Sequence, residues 1–160
     1  MLATVVDGDL LDQPVDVLVN AWNRNVIPWW LLLPQGVSGA IKRRAGLAPF
    51  VELGRAGPLA LGDAVLTGSG RLPVCGIIHV AGIDLLWRAS AESIRCSVRS
   101  AMTVAHANGF ASIAFPVIGA GTGGYAEAAA LDLMRQALAP LHLPLSVRIV
   151  RFRPRAARRG

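Results

Sequence analysis

Residues 112–125, SIAFPVIGAGTGGY, decide how the rest of the chain is read. The run opens β-branched and aromatic, turns at Pro116, and passes into a loop with glycine at 119, 121, 123 and 124. The Ala-rich, Pro-free residues 126–138 that follow read as a helix. A strand feeding a glycine-rich loop that opens a helix is suited to an anion. Without Cβ atoms the backbone N–H groups can approach a phosphate, and the helix N-terminus adds partial positive charge. The loop also matches G-x-G-x-x-G literally at 119–124, but two facts count against a dinucleotide-binding dehydrogenase. The motif lies too near the C-terminus for the rest of a two-half domain, and no acid follows at the ribose-binding distance of about 20 residues. No Gly-Lys-Ser/Thr follows either, so the loop is not a P-loop.

Working outward, residues 90–108 carry a strong helical pattern. Ile94, Val98, Ala101, Met102 and Ala105 share a face, Ser90 is a natural N-cap with Glu92 in the first turn, and Asn108-Gly109 supplies the stop. Pro140 ends the helix after the glycine loop, and residues 147–152 read as a last strand. Upstream, residues 62–67 and 75–80 read as strands joined across Gly68-Ser69-Gly70, with His79 as a hydrogen-bonded core histidine. Residues 49–55 suit a short helix.

Nearer the N-terminus, residues 3–6 form an apolar strand closed by Asp7-Gly8-Asp9. Residues 15–19, nearly continuous in apolar side chains, read as the middle of a sheet covered on both faces, ending in a polar knot at 20–23 with Asn20 and Asn23. Those asparagines either close a turn or bind a ligand. Residues 24–35 contain IPWWLLLPQ, which is either a hydrophobic plug at a sheet edge or subunit contact, or a wall over a ligand pocket. Gly36 to Ile41 then form a second glycine loop leading into a helix that stops at Gly46, a second place for a phosphate. Strands alternating with helices argue for an α/β fold with a largely parallel sheet, and there is no internal repeat.

The 160 residues suit one domain, and 53% hydrophobic residues suit a well-buried sheet. No apolar run approaches the roughly 20 residues of a membrane span, and the start of the chain lacks a signal-peptide pattern. The cytoplasm is therefore the expected compartment. Cys75 and Cys96 are too few for a disulfide framework or a CxxC metal site and read as buried, reduced thiols. The net charge of +6 is almost all arginine, and beyond Asp132 there is no acid, while six arginines lie between 148 and 159. Such an end either docks on a polyanion such as nucleic acid or is a solvated terminus that aids solubility.

Taken in order, Gly8-Asp9-Leu10, VDVLVNAWN at 15–23, GVSGAIKRRAG at 36–46, IIHVAG at 77–82 and the stretch at 112–125 resemble the motifs of the macrodomain, the ADP-ribose-binding module. The resemblance spans about 5–152 and places a macrodomain at 1–153 with a basic tail at 154–160. It implies a three-layer α/β/α sandwich with a central mixed, largely parallel sheet, and ADP-ribose in a cleft at the strand ends. It implies no cofactor and no metal. Its implied partners are ADP-ribose, free or attached to a protein or nucleic acid, and no membrane; the oligomeric state is left open. Carried over by motif position, Asp9 would accept from the adenine amino group with the Leu10 backbone beside it, and Phe152 would stack on adenine. Asn23 would face the distal ribose, and Asn20 is a further ligand-binding candidate. Gly36, Val37 and Ser38 would form one diphosphate loop, and the other would run through Gly119, Ala120, Gly121, Thr122, Gly123, Gly124 and Tyr125.

The departures from that family pattern bear on turnover. Members that hydrolyse ADP-ribose from proteins carry an aspartate where this chain has Ser38, and a histidine one helical turn on, where it has Lys42. They usually carry an aromatic where it has Gly123. A second class uses a lysine after the third strand, a region held here by Thr67, and an aspartate in the second loop, which has no acid. An alcohol cannot serve as a base near neutral pH without an activating partner. The expectation is therefore a binding module. The alternative is an ADP-ribosyl hydrolase acting on protein, nucleic acid or O-acetyl-ADP-ribose by a variant mechanism. Its weak catalytic candidates are Asn23, Ser38 and Asp84, with a ligand phosphate placing water and the segment around Trp29 and Trp30 replacing the missing aromatic.

Overall fold

The structure is a computed structural model that describes residues 1–32 and 35–154. Its strands are β1 (Thr4–Gly8), β2 (Val17–Trp22), β3 (Ala64–Thr67), β4 (Gly76–Ala81), β5 (Ser112–Pro116) and β6 (Ser146–Phe152). Its helices are α1 (Gly36–Ala45), α2 (Ala48–Arg55), α3 (Ala91–Ala107) and α4 (Glu127–Leu138), with single 3-10 turns at Leu10–Asp12 and Trp29–Leu31.

Among the described residues the strands form one sheet in the order β1-β6-β5-β2-β4-β3. Every pairing is parallel except β3 with β4, so β1, β6, β5, β2 and β4 all end at the same edge. The chain reaches each parallel neighbour by a crossover, and helices consequently cover both faces. Alternation along β2 shows the consequence: Val17 and Val19 pack toward α3 and α4, while Leu18 and Trp22 pack toward α1 and α2. All six residues of β4 are buried, as a central strand between two helical layers requires. This is the expected three-layer sandwich with a mixed, largely parallel sheet.

Local chemistry sets the element ends. Ser90 caps α3 by accepting from the Ser93 N–H at 2.9 Å, and the Ser93 hydroxyl accepts from the Ser90 N–H at 2.8 Å, a reciprocal box in which Glu92 has no part. Gly46 follows α1 with φ of 85°, a conformation that a β-carbon resists.

Several expectations change. Strand β2 runs on to Trp22, so Asn20 sits inside the strand, fully buried, rather than in a turn. Its apolar neighbours win: Trp22 is only 4% exposed and continues the core. Helix α1 begins at Gly36 itself, without a preceding glycine loop. Helix α4 begins at Glu127, after the Gly119 to Tyr125 loop has closed on itself through the Tyr125 N–H to the Gly119 carbonyl at 2.9 Å. Cys75 is exposed, because residues 68–75 form an irregular surface connection before β4, and Cys96 is half-buried on α3. Leu33 of the tryptophan-leucine segment, and the basic tail from 155 on, lie outside the described residues. No helix among the described residues is long and apolar enough to cross a membrane.

Candidate functional site

Five parallel strands ending at one edge put their following loops side by side, the usual place for a ligand in such sheets. Strand order then fixes where each sequence-derived residue falls. Asp9 follows β1 and Phe152 ends β6, paired across the sheet to Gly8. The glycine loop follows β5, Asn23 follows β2, and Gly82 follows β4. From β6 to β4 is three strand spacings, about 14 Å at the ~4.8 Å interval.

A cleft of about 540 Å³ occupies the β5-β2-β4 part of this edge. One side is made by Trp22 and Asn23, by Leu31 and Leu32, and by the start of α1 at Gly36, Val37 and Ser38. The other is made by Gly82, Ile83 and Trp87 after β4, and by Ile118, Gly119 and Gly121 to Gly123 after β5. Asp9, Leu10 and Phe152 stand outside this lining, at the β1/β6 end, with Leu10 buried. There Phe152 is 65% exposed. The structure thus brings Asn23 and both glycine segments together and leaves the proposed adenine residues beyond one end.

Two segments that line this cleft carry N–H groups without a protein acceptor among the described residues. The first helical bond of α1 runs from Gly39 N–H to the Gln35 carbonyl at 2.9 Å, so the N–H groups of Gly36, Val37 and Ser38 precede the ladder and have no partner within it. Across from them, the N–H groups of Gly121, Thr122 and Gly123 donate to no protein group among the described residues. The helix N-terminus at the cleft is that of α1, since no residue of α4 lines it.

Gly123 is confined. A β-carbon there would lie 2.7 Å from the Gly119 carbonyl oxygen and 2.8 Å from the Ala89 methyl, so this loop shape excludes a side chain at that position. On this side of the cleft an aromatic comes from the neighbouring loop instead: Trp87, two residues before Ala89, whose N–H donates to the Gly123 carbonyl at 3.1 Å. Trp29 and Trp30 do not supply it. Trp29 packs on Phe50 with ring centroids 6.4 Å apart, and Trp30 points to solvent; Leu31 and Leu32 of that segment form the wall. Within this segment Trp29 packs toward the core beside Phe50 while Leu31 and Leu32 line the cleft. Trp87 was missed in the sequence. The signal was the apolar run LLW stranded between Gly82, past a strand, and the Ser90 cap.

Behind the cleft runs a buried chain of hydrogen bonds. Ser38 Oγ donates to Asn20 Oδ1 at 2.9 Å, and Asn20 Nδ2 donates to His79 Nδ1 at 3.0 Å. This places the His79 proton on Nε2, which donates to Thr67 Oγ1 at 2.9 Å, and Thr67 passes its own proton to the Gly68 carbonyl at 3.0 Å. Burial pushes the His79 pKa down to about 3, so the imidazole is neutral. Ser38 thereby spends its proton on an amide and turns lone pairs to the cleft. It can accept from a hydroxyl or a water, but an amide cannot take a proton from it.

The remaining candidates have defined surroundings. Asn23, which lines the cleft, has its Oδ1 accepting from the Asn25 N–H at 2.7 Å, leaving Nδ2 as its remaining donor. Asp9 Oδ1 accepts from the Leu11 N–H at 2.9 Å, with Arg44 3.8 Å from its other oxygen. Asp84 lies outside the lining; its Oδ1 accepts from the N–H groups of Leu86 and Arg88 at 2.8 and 3.0 Å. The Arg88 backbone bond, above all, holds its carboxyl below the usual range. No cluster of three or more metal-ligating side chains occurs among the described residues.

Residues 19–134 match a family model described as Macro domain. An O-acetyl-ADP-ribose deacetylase of Citrobacter rodentium is 37% identical over 137 residues, covering 81% of this chain and 73% of that one. Its namesake in Salmonella gallinarum is 38% identical over the same length. Among solved structures, an Oceanobacillus iheyensis macrodomain with ADP superposes with a TM-score of 0.79 at 28% identity, covering 94% of this chain and 83% of that chain. A Trypanosoma brucei macrodomain in complex with ADP-ribose gives 0.75 at 27% identity, covering 92% and 62%.

Proposed function

Because this chain belongs to the Macro domain family, we propose that it binds ADP-ribose, free or attached to another molecule, along the shared edge of its parallel strands. The observation that carries this reading is the pair of cleft-lining segments with uncommitted N–H groups, from Gly36 to Ser38 and from Gly121 to Gly123, which suits a diphosphate. Adenine lies at the β1/β6 end, its amino group on the Asp9 carboxylate beside the Leu10 backbone and its ring on Phe152. The distal ribose lies at the β2/β4 end against Asn23. Ser38 accepts from it, and Asn20 acts through Ser38. Ala120, Gly124 and Tyr125 shape the second loop.

Turnover is the second reading, favoured by the deacetylases that share over a third of their aligned residues with this chain. The nearest oxygen able to hold a water is Ser38 Oγ, backed by a neutral chain that orients but does not deprotonate. This points to slow hydrolysis at most, and Asp84 serves the loop that carries Trp87. The free thiols fit the reducing cytoplasm.

Calorimetric titration with ADP-ribose, beside ADP and NAD, tests the proposal. ADP-ribose is expected to bind best, and Asp9→Asn, which keeps the acceptor for Leu11, to weaken binding roughly tenfold by losing a charge-assisted bond. Absence of heat with any of the three would sink it. Release of acetate from O-acetyl-ADP-ribose, lost in Asn23→Ala, would establish the enzyme over the binding module.

A further inference from the structure

Two loops raise apolar side chains at the β2/β4 end of the cleft, and nothing in diphosphate or ribose binding requires them. From one side come Leu31 and Leu32, the former 60% exposed; from the other comes Trp87, 43% exposed, in a loop whose Leu85 and Leu86 stand in solvent outside the lining. Water-exposed apolar groups gathered at one place mark an interaction surface.

The second loop is built rather than slack. Asp84 closes it from both ends, accepting from Leu86 and Arg88 through its carboxylate and donating its own N–H to the Arg88 carbonyl at 2.9 Å. Trp87 sits at its tip with φ of 61°, left-handed backbone that a bulky side chain adopts only under constraint. The ring it carries lines the cleft with Ile83, opposite Leu31 and Leu32.

The geometry points to a subsite for an acyl chain longer than acetyl, carried on the ribose that lies at this end. This rests on the ADP-ribose reading above. Three observations favour an acyl chain. Leu31, Leu32, Ile83 and Trp87 line the cavity itself, continuous with Asn23, rather than a separate face. No charged side chain lines it, whereas a peptide would bring backbone N–H and C=O groups that need partners there. The cavity of about 540 Å³ suits a whole drug-sized ligand, yet Asp9, Leu10 and Phe152 lie outside its lining, so adenine does not consume that space.

The test is calorimetric titration with ADP-ribose and with non-hydrolysable analogues bearing an acetyl, butyryl or octanoyl amide on the distal ribose. Each buried methylene is expected to tighten binding about two- to fourfold, so butyryl, with two more, should bind about four- to sixteenfold tighter than acetyl, with octanoyl tighter again. In Trp87→Gly, where the new residue accepts the backbone conformation, and separately in Leu31→Ser, that dependence on length should flatten. ADP-ribose binding with equal affinity for acetyl and octanoyl overturns the subsite alone. Length dependence that survives both substitutions overturns its assignment to this rim, and no binding of ADP-ribose overturns the reading beneath it as well.

Discussion

His79 shows how one buried side chain ties stability to the site. Its ring lies between Asn20 and Thr67 and edge-on to Phe50, with centroids 5.7 Å apart, and all three neighbours are uncharged. An imidazolium has no counter-charge there, which is why burial holds the pKa at about 3 instead of the ordinary 6.5. Between those values the unfolded chain binds a proton that the folded chain refuses, so stability rises with pH across this window and falls on acidification. The slope is about 1.4 kcal/mol per pH unit, or about 2 kcal/mol lost by pH 5. Denaturant titrations from pH 7 to 5 should show this loss, and His79→Gln, which can bond both neighbours without titrating, should remove most of the slope. An unchanged slope in the variant would assign the acid sensitivity elsewhere.

At the scale of elements, the segment before α1 is held to the fold by α1 itself. Lys42, one turn after Ser38, does not reach the cleft lining; it folds back so that Nζ donates to the Trp29 carbonyl at 3.2 Å. The ammonium stands 5.0 Å from the Phe50 ring, 5.6 Å from Trp22 and 6.0 Å from Trp29. Burial lowers its pKa from the ordinary lysine value. The same 3-10 turn that contains Trp29 carries Leu31 to the cleft wall, so this lysine pins a wall of the site from behind. Cation–π contacts and one charged hydrogen bond together suggest that Lys42→Ala costs about 1–2 kcal/mol, with a red shift in tryptophan emission as Trp29 loosens. Unaltered midpoint and emission would mean that Trp29 is held by Phe50 alone.

At the scale of the molecule, the parts legible in the sequence were those with a local cause. Alternating strands and helices gave the sheet, the Ser90 and Asn108-Gly109 signals bounded α3, and glycines at 119–124 marked the loop after β5. What stayed hidden depends on distant partners: Asn20 is buried because Ser38 and His79 satisfy it, and Trp87 enters the cleft because Gly123 and Ala89 bring its loop there. The ligand edge is likewise a property of strand order, since β1 and β6, which carry Asp9 and Phe152, lie beside each other only once the chain has closed its sheet. A ligand reaching from that end to β4 bridges first and last strands with the middle of the sheet, and unfolding must release it entirely. At a hundred times its dissociation constant, such a ligand adds about 2.7 kcal/mol, which for a chain of this size raises the melting temperature by roughly 5–10 °C. ADP at the same concentration reaches the diphosphate loops but not Asn23, so its shift should be smaller and should not fall further in Asn23→Ala, while that of ADP-ribose does. Equal shifts for the two ligands would place both at the β1/β6 end and leave the β2/β4 half of the cleft without a role in binding them.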